Sequence, residues 1–127
     1  MGRPSPARVS LVLATVGRVR EVATLFASLG AQTSNDFEVV VIDQNSDERL
    51  SALIDAYSSS FRIQRIRGPR GLSRSRNAGL ALARGSIIAF PDDDCRYRRT
   101  TISDIVAWFD AHPQADGLTG RAVSGRG

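Results

Sequence analysis

Apolar segments suited to β-strands recur along this chain at the intervals that a parallel sheet with helical crossovers requires. The segments begin near residues 9, 37, 61 and 86, so successive starts lie 24–28 residues apart. The stretches between them carry apolar residues at helical spacing, as Val19, Val22, Phe26 and Leu29 do. Parallel strands need a crossover of a dozen or more residues, which is usually a helix. The spacing therefore predicts an α/β fold with a doubly wound, mainly parallel sheet flanked by helices.

Local patterns give approximate bounds to these elements. Glycines 30 and 85 are placed to end helices, and arginines dilute the third strand, which is typical of a sheet edge. The predicted strands cover 9–14, 37–42, 61–66 and 86–90, with a further strand beginning at 116–120; the predicted helices cover 19–30, 47–57, 72–84 and a stretch from Thr100 or Thr101 through Phe109.

Length and composition indicate one domain. The chain has 127 residues, and we expect an arm over 1–8, a folded unit over 9–123 and a flexible end over 124–127. Its 17 basic residues are all Arg, against 13 acidic residues. A single Cys95 excludes a disulfide framework or a cysteine-based metal site, and no apolar run is long enough to span a membrane. A cytoplasmic protein is the expectation, and a peripheral position at the inner face of the membrane is the alternative.

Three consecutive carboxylates, Asp92, Asp93 and Asp94, follow the apolar run 87–90. They repel one another, so a fold that places them at the end of a buried strand usually brings a cation to them. Oxygen-only ligation suits Mg²⁺ or Mn²⁺. The alternative is a solvated acidic loop that favours the start of the next helix.

The segment Gly71–Gly79 breaks a local rule. Ser73 is a good N-cap, so Arg74 and Arg76 fall in the first turn, where the helix dipole disfavours cations. An anionic ligand at this helix start would make both arginines favourable. The alternative is a pair of solvated arginines. Four neighbouring arginines are interpreted as surface charges: Arg62, Arg65, Arg67 and Arg70.

Ligands of parallel α/β sheets bind at the carboxyl ends of the strands, and several polar residues lie there. Asp43 ends the second strand and could accept hydrogen bonds from a base or ribose, or it could form an Asx-type turn with Asn45. Thr15 and Arg18 follow the first strand as weaker candidates for ligand binding. His112, at a helix C-terminus, is interpreted as structural, and so is Cys95.

Four motifs in order resemble the N-terminal half of the large inverting glycosyltransferase family two. They are V-S-L-V-L-A-T-V-G-R at 9–18, V-V-V-I-D-Q-N-S at 39–46, G-L-S-R-S-R-N-A-G-L-A-L-A-R-G at 71–85, and I-I-A-F-P-D-D-D at 87–94. The resemblance covers residues 8–120. It implies a Rossmann-like nucleotide-diphospho-sugar transferase fold, with strand order 3-2-1-4.

The resemblance also implies roles for individual residues. Thr15 and Asp43 would hold the nucleoside of a nucleotide-diphospho-sugar donor, and Arg76 and Asn77 would lie near the nucleotide. The D-x-D motif falls on the aspartate triplet. Within it Asp94 would bind the Mn²⁺ or Mg²⁺ that bridges the diphosphate, Asp93 would contact ribose or sugar, and Asp92 would support both.

Two departures from the family pattern qualify this interpretation. Gln44 and Pro91 stand where an acidic and an aliphatic residue are usual. No residue here matches the family's general base, which comes from a later, acceptor-binding half and is therefore expected beyond Gly127. We expect a donor-binding half of a transferase, whose acceptor is unknown but could be a glycan or a lipid-linked glycan.

The alternative is a non-catalytic nucleotide-sugar-binding module. Nucleic-acid binding is not expected, because the arginine-rich stretch 62–76 lacks aromatic stacking residues. An apolar fourth strand left at a sheet edge predicts self-association.

Overall fold

The computed structural model describes residues 7–68 and 70–118, which form four strands and four helices in strict alternation. The elements are β1 (Val9–Thr15), α1 (Val19–Gly30), β2 (Phe37–Asp43), α2 (Ser51–Tyr57), β3 (Arg62–Arg67), α3 (Leu72–Leu80), β4 (Ile87–Ala89) and α4 (Thr101–Ala111).

All strand pairs of the sheet are parallel and their order is β3-β2-β1-β4, which confirms the predicted architecture. The register pairs Thr15 with Asp43, and Asp43 with Arg67. Because these three residues end their strands, the strands finish at one common rim. Every loop that the sequence singled out leaves the sheet at or near this rim.

Helices cover the sheet on both faces. On one face α1 buries Val22, Leu25, Phe26 and Leu29 against alternate residues of β1 and β2, and α4 adds Ile102. Each such side chain contributes about 1.5–3 kcal/mol on full burial, so this face holds most of the stabilising apolar contact.

The other face is packed more closely by α3. A Cβ placed on Gly79 would lie 2.4 Å from Cγ1 of Val12 and 2.7 Å from Cδ1 of Ile42. Only glycine lets the helix backbone approach the sheet so closely at this position. This contact holds the C-terminal turn of α3 against β1 and β2.

The predicted start of α3 at Leu72 is confirmed, whereas its predicted cap and its predicted end were wrong. Gly71, with φ of 109°, precedes the helix in place of the predicted cap Ser73, and no side chain caps it. The helix ends at Leu80 and not at Arg84. The Arg84 N–H donates to the carboxylate of the buried Glu38 at 2.8 Å, so the chain leaves the helix to satisfy a buried charge.

Two further elements are shorter than predicted. α2 begins at Ser51 and not at residue 47. Asp47 and Glu48 lie in the loop before the helix, where Asp47 pairs with Arg49 of the same loop and Glu48 pairs with Arg65 and Arg67 of β3. β4 has three residues, and Phe90 beyond it is 40% exposed. β4 forms one edge of the sheet in the described part of the chain; self-association through it stays a prediction.

Several expectations concern the ends of the chain. Residues 1–6 and 119–127 lie outside the described residues, and so does most of the strand predicted from 116; residues 116–118 are not in a strand. The arm predicted over 1–8 therefore stays a prediction for residues 1–6, and so does the flexible end that closes at Gly127. The general base expected beyond Gly127 likewise stays a prediction, since it would come from residues that this sequence does not contain.

The first described residues are held against the fold. Ala7 is buried, and Arg8 pairs with Asp110 of α4 at 2.9 Å. Residues 7 and 8, which the sequence assigned to the arm, therefore belong to the folded unit. Among the described helices, none has the length and apolar character needed to cross a membrane.

Candidate functional site

The end of β1 contacts the aspartate triplet directly. The Thr15 hydroxyl donates to Oδ2 of Asp93 at 2.9 Å, across a separation of 78 residues. Thr15 is buried, since β1 lies in the middle of the sheet between β2 and β4. This hydrogen bond fixes Asp93 at the carboxyl rim of the sheet, over the β1–α1 loop.

Arg18 lies between two of the carboxylates. Its Nε is 3.5 Å from Oδ1 of Asp93, and its Nη1 is 3.6 Å from Oδ2 of Asp94. The Arg18 and Asp94 side chains are about half exposed, at 48% and 56%. Exposed pairs of this kind contribute about 0.2–1 kcal/mol each, so a stronger ligand of either partner can displace them.

The third carboxylate, Asp92, faces solvent and joins neither of these contacts. Its carbonyl accepts a hydrogen bond from the Cys95 N–H at 3.3 Å, which closes the acidic turn. Burial, reinforced by the charge of Asp92, raises the pKa of the Cys95 thiol, so the thiol stays protonated. Cys95 packs against the core, as the sequence indicated.

Asp43 lies at the same rim but is enclosed. Its side chain is fully buried, and its Oδ1 accepts hydrogen bonds from the backbone N–H of Asn45 at 2.9 Å and from Nδ2 of Asn45 at 2.8 Å. The Asx-type interaction considered as an alternative is therefore present. It uses one carboxylate oxygen and leaves the other available.

Asn45 connects the β2 end to the β1–α1 loop. Its Oδ1 accepts a hydrogen bond from the Gly17 N–H at 2.7 Å. Gly17 has φ of 71°, a left-handed conformation that glycine adopts without strain. A continuous series of contacts thus connects the end of β2 to the aspartates after β4. It runs from Asp43 through Asn45 and Gly17 to Arg18.

Two arginines from β3 complete the Asp43 environment. Nη1 of Arg67 lies 3.4 Å and Nη1 of Arg65 lies 3.7 Å from Oδ2 of Asp43. Among the described residues this buried oxygen has no hydrogen-bond partner, so the guanidinium groups neutralise its charge without saturating it. Arg67 is exposed, as expected of a surface charge, and Arg65 is half-buried, but the sequence analysis did not predict that both approach Asp43. Their spacing of two residues puts them on one face of β3, but their position beside Asp43 follows only from the register of β3 against β2.

The start of α3 is tied to the β2 end by a residue that departs from the family pattern. Oε1 of Gln44 accepts a hydrogen bond from the Gly71 N–H at 3.0 Å. The Arg76 guanidinium lies 4.9 Å from the centre of the Phe90 ring, immediately before the acidic turn. Arg74, Asn77 and Arg70 are exposed. Arg76 therefore reaches the site, and Asn77 faces solvent beside it.

The carboxylates suit a metal site in which protein and substrate both supply ligands better than a site in which the protein supplies all of them. Within residues 7–68 and 70–118, no three His, Cys, Asp or Glu side chains converge to hold a metal ion. Mg²⁺ commonly takes only one or two protein carboxylates and completes its shell with water and substrate phosphates. Asp94 fits that type of ligation, because its side chain is half exposed and its carboxylate offers only oxygen ligands.

A cavity of about 360 Å³ lies at the opposite rim and contains no residue of this site. Its lining comes from the amino ends of β2 and β3, the loops before them and one residue before β1: Asn35, Asp36, Phe37, Ser58, Ser59, Ser60, Phe61, Arg62 and Ala7.

Comparison with known sequences gives consistent matches. The profile of the family described as Glycosyl transferase family 2 matches residues 10–126. An uncharacterized glycosyltransferase of Haemophilus influenzae is 35% identical over 86 residues, which cover 68% of this chain and 29% of that protein. One of Rickettsia bellii is 34% identical over 89 residues, covering 69% and 13%. This chain thus spans less than a third of either relative.

Solved structures agree with the sequence matches. TarS 1–349 of S. aureus in complex with UDP-GlcNAc superimposes with a TM-score of 0.74 at 26% identity, over 92% of this chain and 37% of that one. A mannosyltransferase of Pyrobaculum calidifontis in complex with GDP-Man and Mn²⁺ gives 0.72 at 22% identity, over 84% and 33%. The latter likeness concerns the fold alone. Together they confirm the expected fold.

Proposed function

The chain belongs to glycosyl transferase family 2, and from that premise we propose that it is the donor-binding part of a glycosyltransferase. It binds a nucleotide-diphospho-sugar together with Mn²⁺ or Mg²⁺. The sugar is transferred, with inversion, to an acceptor hydroxyl.

The contact of Thr15 and Arg18 with the aspartates carries this proposal. It gathers a hydroxyl, a cation and two carboxylates at the carboxyl rim of a parallel sheet, which is where such sheets bind ligands. TarS, similar in sequence and fold, binds UDP-GlcNAc. A pyrophosphate flanked by Arg18 and a divalent ion would be neutralised from two sides.

Each candidate residue has a role in this proposal. Thr15 and Asp43 hold the nucleoside, and Arg76 and Asn77 line the nucleotide at the start of α3. Arg18 binds the diphosphate, because guanidinium groups recognise phosphate oxygens in a planar, paired geometry.

The acidic turn completes the set. Asp93, already fixed by Thr15, contacts ribose or sugar. Asp94 is the main ligand of the metal, and Asp92 supports it. When bound, the ion offsets the negative charge that develops on the departing nucleoside diphosphate.

A second candidate is a non-catalytic nucleotide-sugar-binding module. It is favoured by one observation: the chain spans only 29% and 13% of the two glycosyltransferase relatives described above. Turnover of a nucleotide-sugar to a glycoside by the 127-residue chain would exclude this candidate.

Calorimetric titration with nucleoside diphosphates tests the proposal. We expect UDP or GDP to bind in the presence of Mn²⁺, and D94A to weaken that binding by about 10-fold or more, since a lost metal ligand costs at least as much as a lost outer-shell partner. D55A, which removes an exposed acid from α2, is the matched control. Absence of binding, or equal binding by D94A and D55A, would contradict the proposal.

A further inference from the structure

Arg67 makes more contacts with the β2–α2 loop than a surface arginine needs. Its Nη1 donates to the carbonyl oxygens of Asn45 and Asp47, both at 2.7 Å, and its Nη2 pairs with the Glu48 carboxylate. One guanidinium thereby holds three residues of an irregular loop against the end of β3.

That loop carries the residue that orients Asp43. Both hydrogen bonds to Oδ1 of Asp43 come from Asn45, whose own carbonyl is bound by Arg67. Arg67 is therefore positioned to control the orientation of the Asp43 carboxylate through Asn45.

The same guanidinium approaches the second oxygen of Asp43 without saturating it. The separation of 3.4 Å between Nη1 and Oδ2 is long for a charge-assisted hydrogen bond, and Nη1 already donates to two carbonyls. Oδ2 is buried, and within the described residues no donor reaches it. A buried acceptor in this state is ready for an N–H or O–H group of a ligand.

We propose that Arg67 is a positioning residue for the nucleoside of the donor. It fixes the β2–α2 loop so that Asp43 presents one unsaturated oxygen to a base N–H or a ribose hydroxyl. This inference rests on the proposed function, but it concerns only the nucleoside and not the diphosphate or the metal. Arg65 assists by pairing with Glu48, at 3.2 Å, and with Ser51.

A purely structural role for Arg67 would have a different consequence. If Arg67 only stabilised the fold, its replacement would weaken every ligand in proportion to the unfolded fraction. A positioning role weakens ligands that contain a nucleoside and leaves pyrophosphate with Mn²⁺ unaffected. The ratio of these two affinities therefore separates the two roles.

The experiment compares wild type, R67M, R67K and the control R62M. Calorimetry measures the affinity of UDP or GDP with Mn²⁺ and of inorganic pyrophosphate with Mn²⁺, and circular dichroism and urea unfolding report the folded fraction. Arg62 lies at the other end of β3, so R62M removes the same charge from the same strand at the opposite rim.

We expect R67M to lose nucleoside diphosphate affinity by about 10-fold or more, as the loss of charged hydrogen bonds does, with pyrophosphate affinity unchanged. R67K keeps the charge but not the planar fork, so it loses affinity in the same direction and by less. If R67M does not fold, R67K carries the test in the same form.

Three outcomes are decisive. Unchanged nucleoside diphosphate binding by the folded variants overturns the role of Arg67. Equal loss of both probes overturns it as well, because the effect is then not specific to the nucleoside. Failure of wild type to bind either probe overturns the proposed function and, with it, this inference.

Discussion

The two sides of the candidate site are built in opposite ways. On the β2–β3 side Asp43 is fully buried, accepts two hydrogen bonds and faces two arginines. On the β1–β4 side Arg18 and Asp94 are half exposed, and their pairing distances are 3.5 Å or more. Both sides lie at the rim of one sheet, yet one is enclosed and the other is open.

This difference matches what each side would have to do in the proposed reaction. A nucleoside is the same before and after sugar transfer, so an acceptor that is held in one orientation suits its recognition. The diphosphate gains charge as the sugar leaves, and the ion must enter and depart. Weak, exposed ion pairs allow that exchange, because each contributes only about 0.2–1 kcal/mol.

The largest expected effect is on stability. D43A removes a buried carboxylate, leaves the two Asn45 donors without their acceptor and leaves each β3 arginine with Glu48 as its remaining carboxylate partner, so we expect the free energy of unfolding to fall by about 2 kcal/mol or more. D94A removes an exposed carboxylate, and we expect a change within about 0.5 kcal/mol. Urea denaturation of both variants measures the contrast.

The two variants serve as controls for one another, since each removes one aspartate from the same rim. The slope of unfolding free energy against urea should be unchanged in both, which would show that only stability differs. Losses that agree within about 0.5 kcal/mol would disprove the distinction between an enclosed and an open side.

The architecture could be predicted because its determinants are local. Continuous apolar runs such as 37–42, separated by helical patterns, define parallel strands without any knowledge of their partners. The end of α3 could not be predicted in this way. The chain leaves the helix at Leu80, and the Arg84 N–H reaches Glu38, 46 residues earlier in sequence, which no local pattern reports.

The site was predictable where residues carry a signal of their own. The aspartate triplet and Asp43 stand out because carboxylates directly follow apolar strands. Arg65 and Arg67 carry no such signal, because exposed arginines are common and these two are distinguished only by the register of β3 against β2. Their contacts with Asp43 depend on a tertiary pairing that the sequence alone does not specify.

A smaller effect, on the affinity for Mn²⁺, is expected when Arg18 is removed from the open side. R18Q removes the guanidinium that competes for Asp93 and Asp94, so we expect the free protein to bind Mn²⁺ about 2- to 10-fold more tightly, with stability changed by less than about 0.5 kcal/mol. Electron paramagnetic resonance of free Mn²⁺ measures this affinity without any nucleotide. R20Q, which removes an exposed charge from α1, is the matched control.

An equal Mn²⁺ affinity for R18Q and R20Q would show that Arg18 does not compete with the ion. A weaker affinity for R18Q would show that Arg18 orders the carboxylates for the ion. Either result would contradict the expectation that Arg18 and the metal ion exchange on the carboxylates of the open side.

The smallest expected effect tests how firmly the loop of the enclosed side is held. A hydrogen bond from the Arg49 side chain, with a second from its backbone N–H, lowers the pKa of Asp47 from 3.8 to about 2. Because the folded pKa lies below the unfolded value, this interaction stabilises the folded state fully above about pH 4, and the stabilisation is lost as the pH falls through 2.

Carbon-detected nuclear magnetic resonance of the Asp47 carboxyl should give a midpoint near 2. R49Q should return that midpoint toward 3.8, whereas R20Q should not. A wild-type midpoint near 3.8 would mean that the loop beside Asp43 is as loosely held as the acidic turn on the open side.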